Sequence, residues 1–182
     1  VVGWSLRQGL TGRPSRIVRE VRDISARYAL LFFGGNDVQG RNERRFGERL
    51  EEAIEQLTRR GVVPILGAVL PRGDRDEMDV HATHYNEVSR GLALAHRVPY
   101  IDFHQAVSSL ARQGLASDGV HPNVFQVGGR GRPCVLTEDG LAYGQHQRNL
   151  RPLEALHPCR LGPAAPPPAA PRAPPLAART PD

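Results

Sequence analysis

The feature that most constrains the fold is an alternation. Short, almost unbroken apolar runs at Tyr28 to Phe33, Val62 to Leu66 and Val98 to Ile101 are separated by longer stretches in which apolar residues recur every three or four positions. A run without polar alternation predicts a strand buried on both faces. Such strands with helices between them predict a parallel sheet covered on both sides.

The helical stretches can be placed one by one. Pro14 suits the first turn of a helix to about Arg27 with Ile17, Val21 and Ile24 inward. From about Asn42 to Arg60 the inward positions are Phe46, Leu50, Ile54 and Leu57, with Gly61 as a C-terminal cap. A third helix, Glu77 to His96, should bury Tyr85, Val88, Leu92 and Ala95, and a fourth covers Phe103 to Gln113. A Gly-rich loop from Val124 to Pro133 follows, which could cover a site, and Thr137 caps a last helix with a stripe of Leu150, Leu153 and Leu156. The order specifies an open α/β domain over residues 1–157 that lacks at least one strand at its start.

Nine of the 16 prolines fall from Pro158 onward, so residues 158–182 are expected to form an Ala/Pro-rich disordered tail. The chain opens on Val1-Val2-Gly3 and its one Met is Met78, which reads as a piece of a longer protein. The compartment is therefore unknown, with export to the periplasm or medium the working expectation, because a signal peptide would lie ahead of Val1. Cys134 and Cys159 allow either a bridge in an exported protein or two unrelated thiols.

Composition removes two classes of partner. All 24 basic residues are arginine, giving a net charge of +5, but outside the tail 21 arginines face 18 acidic residues in alternating sign. No basic stripe with interleaved aromatics results, so nucleic acid is not expected, and the arginine bias fits a GC-rich genome. The longest apolar run, Val62 to Leu70, is too short for a membrane span. Oligomeric state is left open.

Ligands of open α/β sheets bind beyond the carboxyl ends of the strands. Two polar clusters satisfy that placement: Gly34-Gly35-Asn36-Asp37 after the first run, and Ser117-Asp118-Gly119-Val120-His121-Pro122-Asn123. Asp118 and His121 stand three residues apart, which lets one turn hold a carboxylate against an imidazole, while an Asn amide can donate to a developing oxyanion. Each cluster alone is ordinary turn chemistry. Together they point to acyl transfer.

These residues resemble the GDSL/SGNH hydrolases. Gly-Gly-Asn-Asp is similar to that family's third block, Gly-x-Asn-Asp, and Asp118-Gly-Val-His121-Pro to its fifth, Asp-x-x-His. The resemblance extends over the helix and strand order, the Tyr85-Asn86 pair and the Val98-Pro-Tyr-Ile-Asp102 strand. It implies a three-layer α/β/α hydrolase, flavodoxin-like in outline, that cleaves esters with Ser, Asp and His. By that resemblance Asn36 is the oxyanion donor, Asp118 the orienter and His121 the base.

The expected substrate is a small acyl ester or an acylated carbohydrate, with no cofactor. Two alternatives share the scaffold: a non-catalytic ligand-binding module, and an acyltransferase using the same triad.

The nucleophile is harder to place. Val1 to Gly9 imitates the family's Gly-Asp-Ser-Leu block, with Trp4 for Asp and Ser5 as candidate nucleophile. The residues between Ser5 and Asn36 suffice for one helix, one strand and a loop, fewer elements than the fold interposes. Val1 to Thr11 is therefore assigned to the second block, where Gly9, ahead of Gly3 and Gly12, would supply an oxyanion N–H. The serine is then expected upstream of Val1, leaving the 182-residue chain unable to hydrolyse an ester alone.

No metal site is expected. Asp79, His81 and His84 have ligand-like spacing but no third convincing ligand, and His104 could line the site or simply start a helix. Arg41, Arg44 and Arg45 are read as a solvated helix face.

Overall fold

A computed structural model describes residues 3–160. Three strands, β1 (Tyr28–Leu31), β2 (Val63–Gly67) and β3 (Tyr100–Ile101), form a parallel sheet in that order. Tyr28 aligns with Val63 and Leu66 with Tyr100. Seven helices accompany them: α1 (Leu6–Gly9), α2 (Arg16–Asp23), α3 (Glu43–Thr58), α4 (Asp76–His96), α5 (Phe103–Ser108), α6 (Glu138–Leu141) and α7 (Gly144–Arg160).

Side chains alternate along each strand, so the sheet feeds two cores. Ala29, Leu31 and Leu66 join Ile17, Val21, Phe46, Leu50, Ile54, Leu57 and Tyr85 on the side of α1 to α4. Ile65 and Ile101 join Phe103, Phe32, Ala155 and Leu156 beneath α5 and α7. This is the expected α/β/α arrangement. Helix α3 shows why its sequence folds there. Asn42 caps its start, accepting the Arg45 N–H at 2.9 Å, and Phe46, Leu50, Ala53, Ile54 and Leu57 are buried at intervals of three and four. Gly61, at φ 73°, ends it as expected: the N–H groups of Gly61 and Val62 return to the Thr58 and Leu57 carbonyls.

Several local expectations are corrected. Helix α2 is capped by Ser15 and stops at Asp23, because Ser25 turns the backbone at φ 50°, so Ile24 projects outward and is 75% exposed. Ala95 is exposed, since the buried face of α4 runs through Met78, Ala82, Tyr85, Ser89 and Ala93, and a residue two positions further points away. The fourth helix ends at Ser108, with Arg112 and Gln113 in left-handed backbone that no right-handed helix continues. Leu153 is exposed on α7. The stretch from Val124 to Pro133 holds an antiparallel ribbon, β4 (Gln126–Val127) with β5 (Arg130–Gly131), turned by Gly128-Gly129 at φ 58° and 73°. Helix α7 passes the expected boundary at His157 and runs to Arg160, while the rest of the Ala/Pro-rich tail lies outside the described residues. The Cys159 side chain also lies outside them, and Cys134 is exposed.

Candidate active site

The Asp118–His121 turn sits in the segment between α5 and α7. Asp118 Oδ1 accepts the N–H groups of Val120 (2.9 Å) and His121 (3.0 Å), and its Oδ2 lies 2.7 Å from His121 Nδ1. Those three contacts, the two backbone donors first, hold the Asp118 carboxyl well below the usual carboxylate range. An ionised carboxylate only accepts, so the proton of a neutral His121 belongs on Nδ1. Its Nε2 is then a lone pair with no partner among the described residues. The pair is exposed.

Gly119 makes the turn possible. At φ 68° it lies so close to the segment after β2 that a Cβ would sit 2.6 Å from Asp74 N, and its carbonyl accepts the Gly73 N–H at 2.8 Å. Asn123 fastens the other end, with its side chain accepting the Gly144 N–H at 2.7 Å at the start of α7.

The second cluster leaves the carboxyl end of β1. Asn36 is exposed and Asp37 half-buried. Both oxygens of Asp37 accept the Leu6 N–H at 3.0 Å, and Oδ2 accepts that of Gly34 at 3.3 Å. Burial nevertheless outweighs these donors and pushes the Asp37 carboxyl up. Tyr85 and Asn86 hold the surroundings from α4. The Tyr85 hydroxyl donates to the Asp37 carbonyl (3.1 Å) and accepts the Asn42 N–H (3.0 Å). Asn86 exchanges two hydrogen bonds with the Val69 backbone after β2.

The two clusters are joined by a residue that the sequence reading missed. Arg72 is 5% exposed and grips Asp74 with Nε and a terminal nitrogen, both at 2.8 Å. Its other terminal nitrogen donates to the Gly35 carbonyl at 3.2 Å. The Asn36 loop, the Arg72–Asp74 segment and the Asp118–His121 turn therefore form one continuous rim. Pro71-Arg72-Gly73-Asp74 lies in the segment between β2 and α4, separated from the strand by three residues, and that position was the only available signal. A depression of about 630 Å³ adjoins this rim, lined in part by Asp74, Gln113, Ser117 and Asp118. A larger groove of about 770 Å³ holds Gly12, Gln56 and Arg59. It lies where α3 returns to the amino ends of the strands, away from these polar groups.

The remaining predicted residues have other work. The Ser5 hydroxyl caps α1, sharing hydrogen bonds with Gln8. The Gly9 N–H is bound to the Ser5 carbonyl at 3.1 Å, and Gly9 is packed so tightly that a Cβ would lie 3.0 Å from Ile17. Gly3 is exposed, and Gly12 lies in the distant groove. His104 points to Asp79, 3.7 Å away, whose carboxylate accepts the Arg72 N–H. Arg41 and Arg44 pair with Glu77 and Glu48. The ribbon is tied to α7 through His146 on the Arg132 carbonyl and Phe125 against Tyr143.

The fold has counterparts among known proteins. A lipolytic protein of the G-D-S-L family from Veillonella parvula superposes with a TM-score of 0.58 at 23% identity, over 84% of this chain and 74% of that one. A lipase/acylhydrolase from Enterococcus faecalis gives 0.56 at 26% identity, over 65% and 62%. An acetylxylan esterase from Geobacillus stearothermophilus gives 0.60 at 17% identity, over 85% and 68%. Among curated protein sequences none matches significantly. Residues 2–124, which include both polar clusters, match the GDSL-like lipase/acylhydrolase family, whose members hydrolyse esters, and the chain belongs to that family.

Proposed function

We propose that this chain carries the base, the orienting carboxylate and an oxyanion donor of a serine ester hydrolase acting on a small acyl ester or an acylated carbohydrate. The observation that carries the reading is the 2.7 Å contact between Asp118 and His121 Nδ1, which leaves Nε2 free to take a proton. The 17% identical acetylxylan esterase shares only the fold, and its substrate is one instance of the proposed class.

In the proposed reaction, Nε2 of His121 takes the hydroxyl proton as the serine oxygen attacks the acyl carbon. The Asn36 amide donates to the oxygen that becomes negative. The imidazolium, steadied by Asp118, then gives its proton to the departing alcohol, and water repeats the cycle on the acyl-enzyme. The attacking hydroxyl is assigned to sequence preceding Val1. Ser5 suits the role less, because only α1, α2 and β1 lie between it and Asn36, fewer elements than the fold interposes after the nucleophile.

The test is hydrolysis of p-nitrophenyl acetate by the chain carrying its native upstream sequence. His121→Ala should reduce kcat to background, and Asp118→Asn should reduce it roughly 10³ to 10⁴-fold by fixing the wrong tautomer. Activity indifferent to His121→Ala would overturn the reading. A fluorophosphonate probe should leave residues 1–182 unlabelled; labelling abolished by Ser5→Ala would make Ser5 the nucleophile.

A further inference from the structure

The pairing of α3 with α4 supplies the ligand that sequence spacing lacked. Glu43, the first residue of α3, meets His81 and His84 of α4, and one donor atom from each lies within 4.8 Å of the other two. His81 Nδ1 is 2.7 Å from Glu43 Oε1, and His84 Nδ1 is 4.0 Å from the same oxygen. His81 and Glu43 are partly buried and His84 is exposed. Asp79, the residue that completes the motif in the sequence, is turned instead toward Arg72 and His104.

We propose that Glu43, His81 and His84 form a binding site for a divalent zinc-like ion that clamps the N-terminal half of α4 to the start of α3. The donor set, two imidazoles and one carboxylate, is one that zinc accepts with water in the fourth position. Bonds of about 2.0 to 2.1 Å in a tetrahedron place neighbouring donors about 3.3 Å apart. The two measured separations straddle that value. Ion entry therefore requires the His81 contact to open and the His84 contact to close by less than an ångström each, and the two imidazole donors, which lie within 4.8 Å of each other, to reach the same spacing. Side chains that are partly buried or exposed on two fixed helices can make that adjustment by small torsions.

Electrostatics at the site has two sides. The positive end of α3 opposes a cation there. Glu43 answers it with a full negative charge, held ionised by its own backbone N–H and by His81, which lower its pKa. The helix pair is already fixed next to the site: Tyr85, which follows His84, hydrogen-bonds to Asn42 and to the Asp37 carbonyl. The donors are thus presented on a scaffold whose spacing does not depend on the ion. The same scaffold carries the loop of Asn36, so an ion here would tighten the support of that loop without touching the reacting atoms.

Titration of the purified chain with zinc chloride against a chromophoric competitor tests the proposal, with thermal unfolding as a second readout. One equivalent should bind and raise the unfolding temperature. Affinity should fall about tenfold or more in each of His81→Ala, His84→Ala and Glu43→Gln, while His121→Ala, which alters a separate exposed His–carboxylate pair, should keep it. Glu43→Gln retains the size of the side chain, so its loss of binding cannot be assigned to misfolding once its circular dichroism matches the parent. No saturable binding, or one equivalent bound undiminished by the three substitutions, would overturn the proposal.

Discussion

Asp118 and Asp37 end up with opposite proton affinities because one is ringed by donors at the surface while the other loses more hydration than its donors return. The stability consequences have opposite signs. For Asp118 the folded carboxyl is the stronger acid, so its contribution is present above the unfolded value of about 3.9 and is lost as pH falls below it. For Asp37 the folded carboxyl is the weaker acid. Its contribution is present below about 3.9 and is lost as pH rises through the folded value, leaving a charge that costs stability at neutral pH. Asp37→Asn should therefore compare more favourably with the parent at pH 7 than at pH 4, as read from urea midpoints at the two pH values. Asn36 contributes differently, since an exposed amide adds little to folding and its proposed role is to donate to the developing charge. Asn36→Ala should leave the unfolding midpoint unchanged and lower kcat roughly 10² to 10³-fold with little effect on KM. At this scale the sequence was informative where a pair is local: Asp118 and His121 are three residues apart and close within one turn. It was silent on Arg72, whose partners Asp74 and Gly35 become a site only when β1 and β2 lie side by side.

The elements matter through what they hold in register. Arg72 bridges the exits of β1 and β2, and Gly119 presses the Asp118–His121 turn onto the same segment, so the rim has no independent parts. Arg72→Ala removes a buried guanidinium with three hydrogen bonds and should lower stability by about 2 to 4 kcal/mol, measured by chemical unfolding. In the chain that carries its serine, kcat should fall as well, because the Asn36 loop is no longer tied to the turn of His121. The strands were legible because the apolar runs are too short for helices and alternate with amphipathic stretches, although Leu30 on β1 and Val63 on β2 are left 40% and 39% exposed, and α3 was legible because its cap, period and terminating Gly61 agree. The misplacements have local causes. Left-handed residues at Ser25, Arg112 and Gln113 end helices whose periodicity continues on paper. In α4 the inward face is set by neighbours from other elements, which is also why Glu43 could not be joined to His81 and His84 from the sequence.

For the molecule as a whole, part of the all-arginine basic charge is taken up by short ion pairs. Arg44 with Glu48 and Arg59 with Glu55 lie along α3, Arg41 reaches Glu77, and Arg90 reaches Asp102. Single exposed pairs of this kind contribute at most about 1 kcal/mol each. What distinguishes the molecule physically is the border of its sheet. β1 pairs with β2 on one side and meets no strand on the other among the described residues, and Leu30 on it is 40% exposed. Such a border is a template for any extended backbone that arrives. Leu30→Lys should slow the rise of light scattering in concentrated solutions without changing the unfolding midpoint by more than about 0.5 kcal/mol. The shelf life of the purified chain is on this view a question of colloid chemistry, decided by four backbone units outside the Asn36–Arg72–His121 rim.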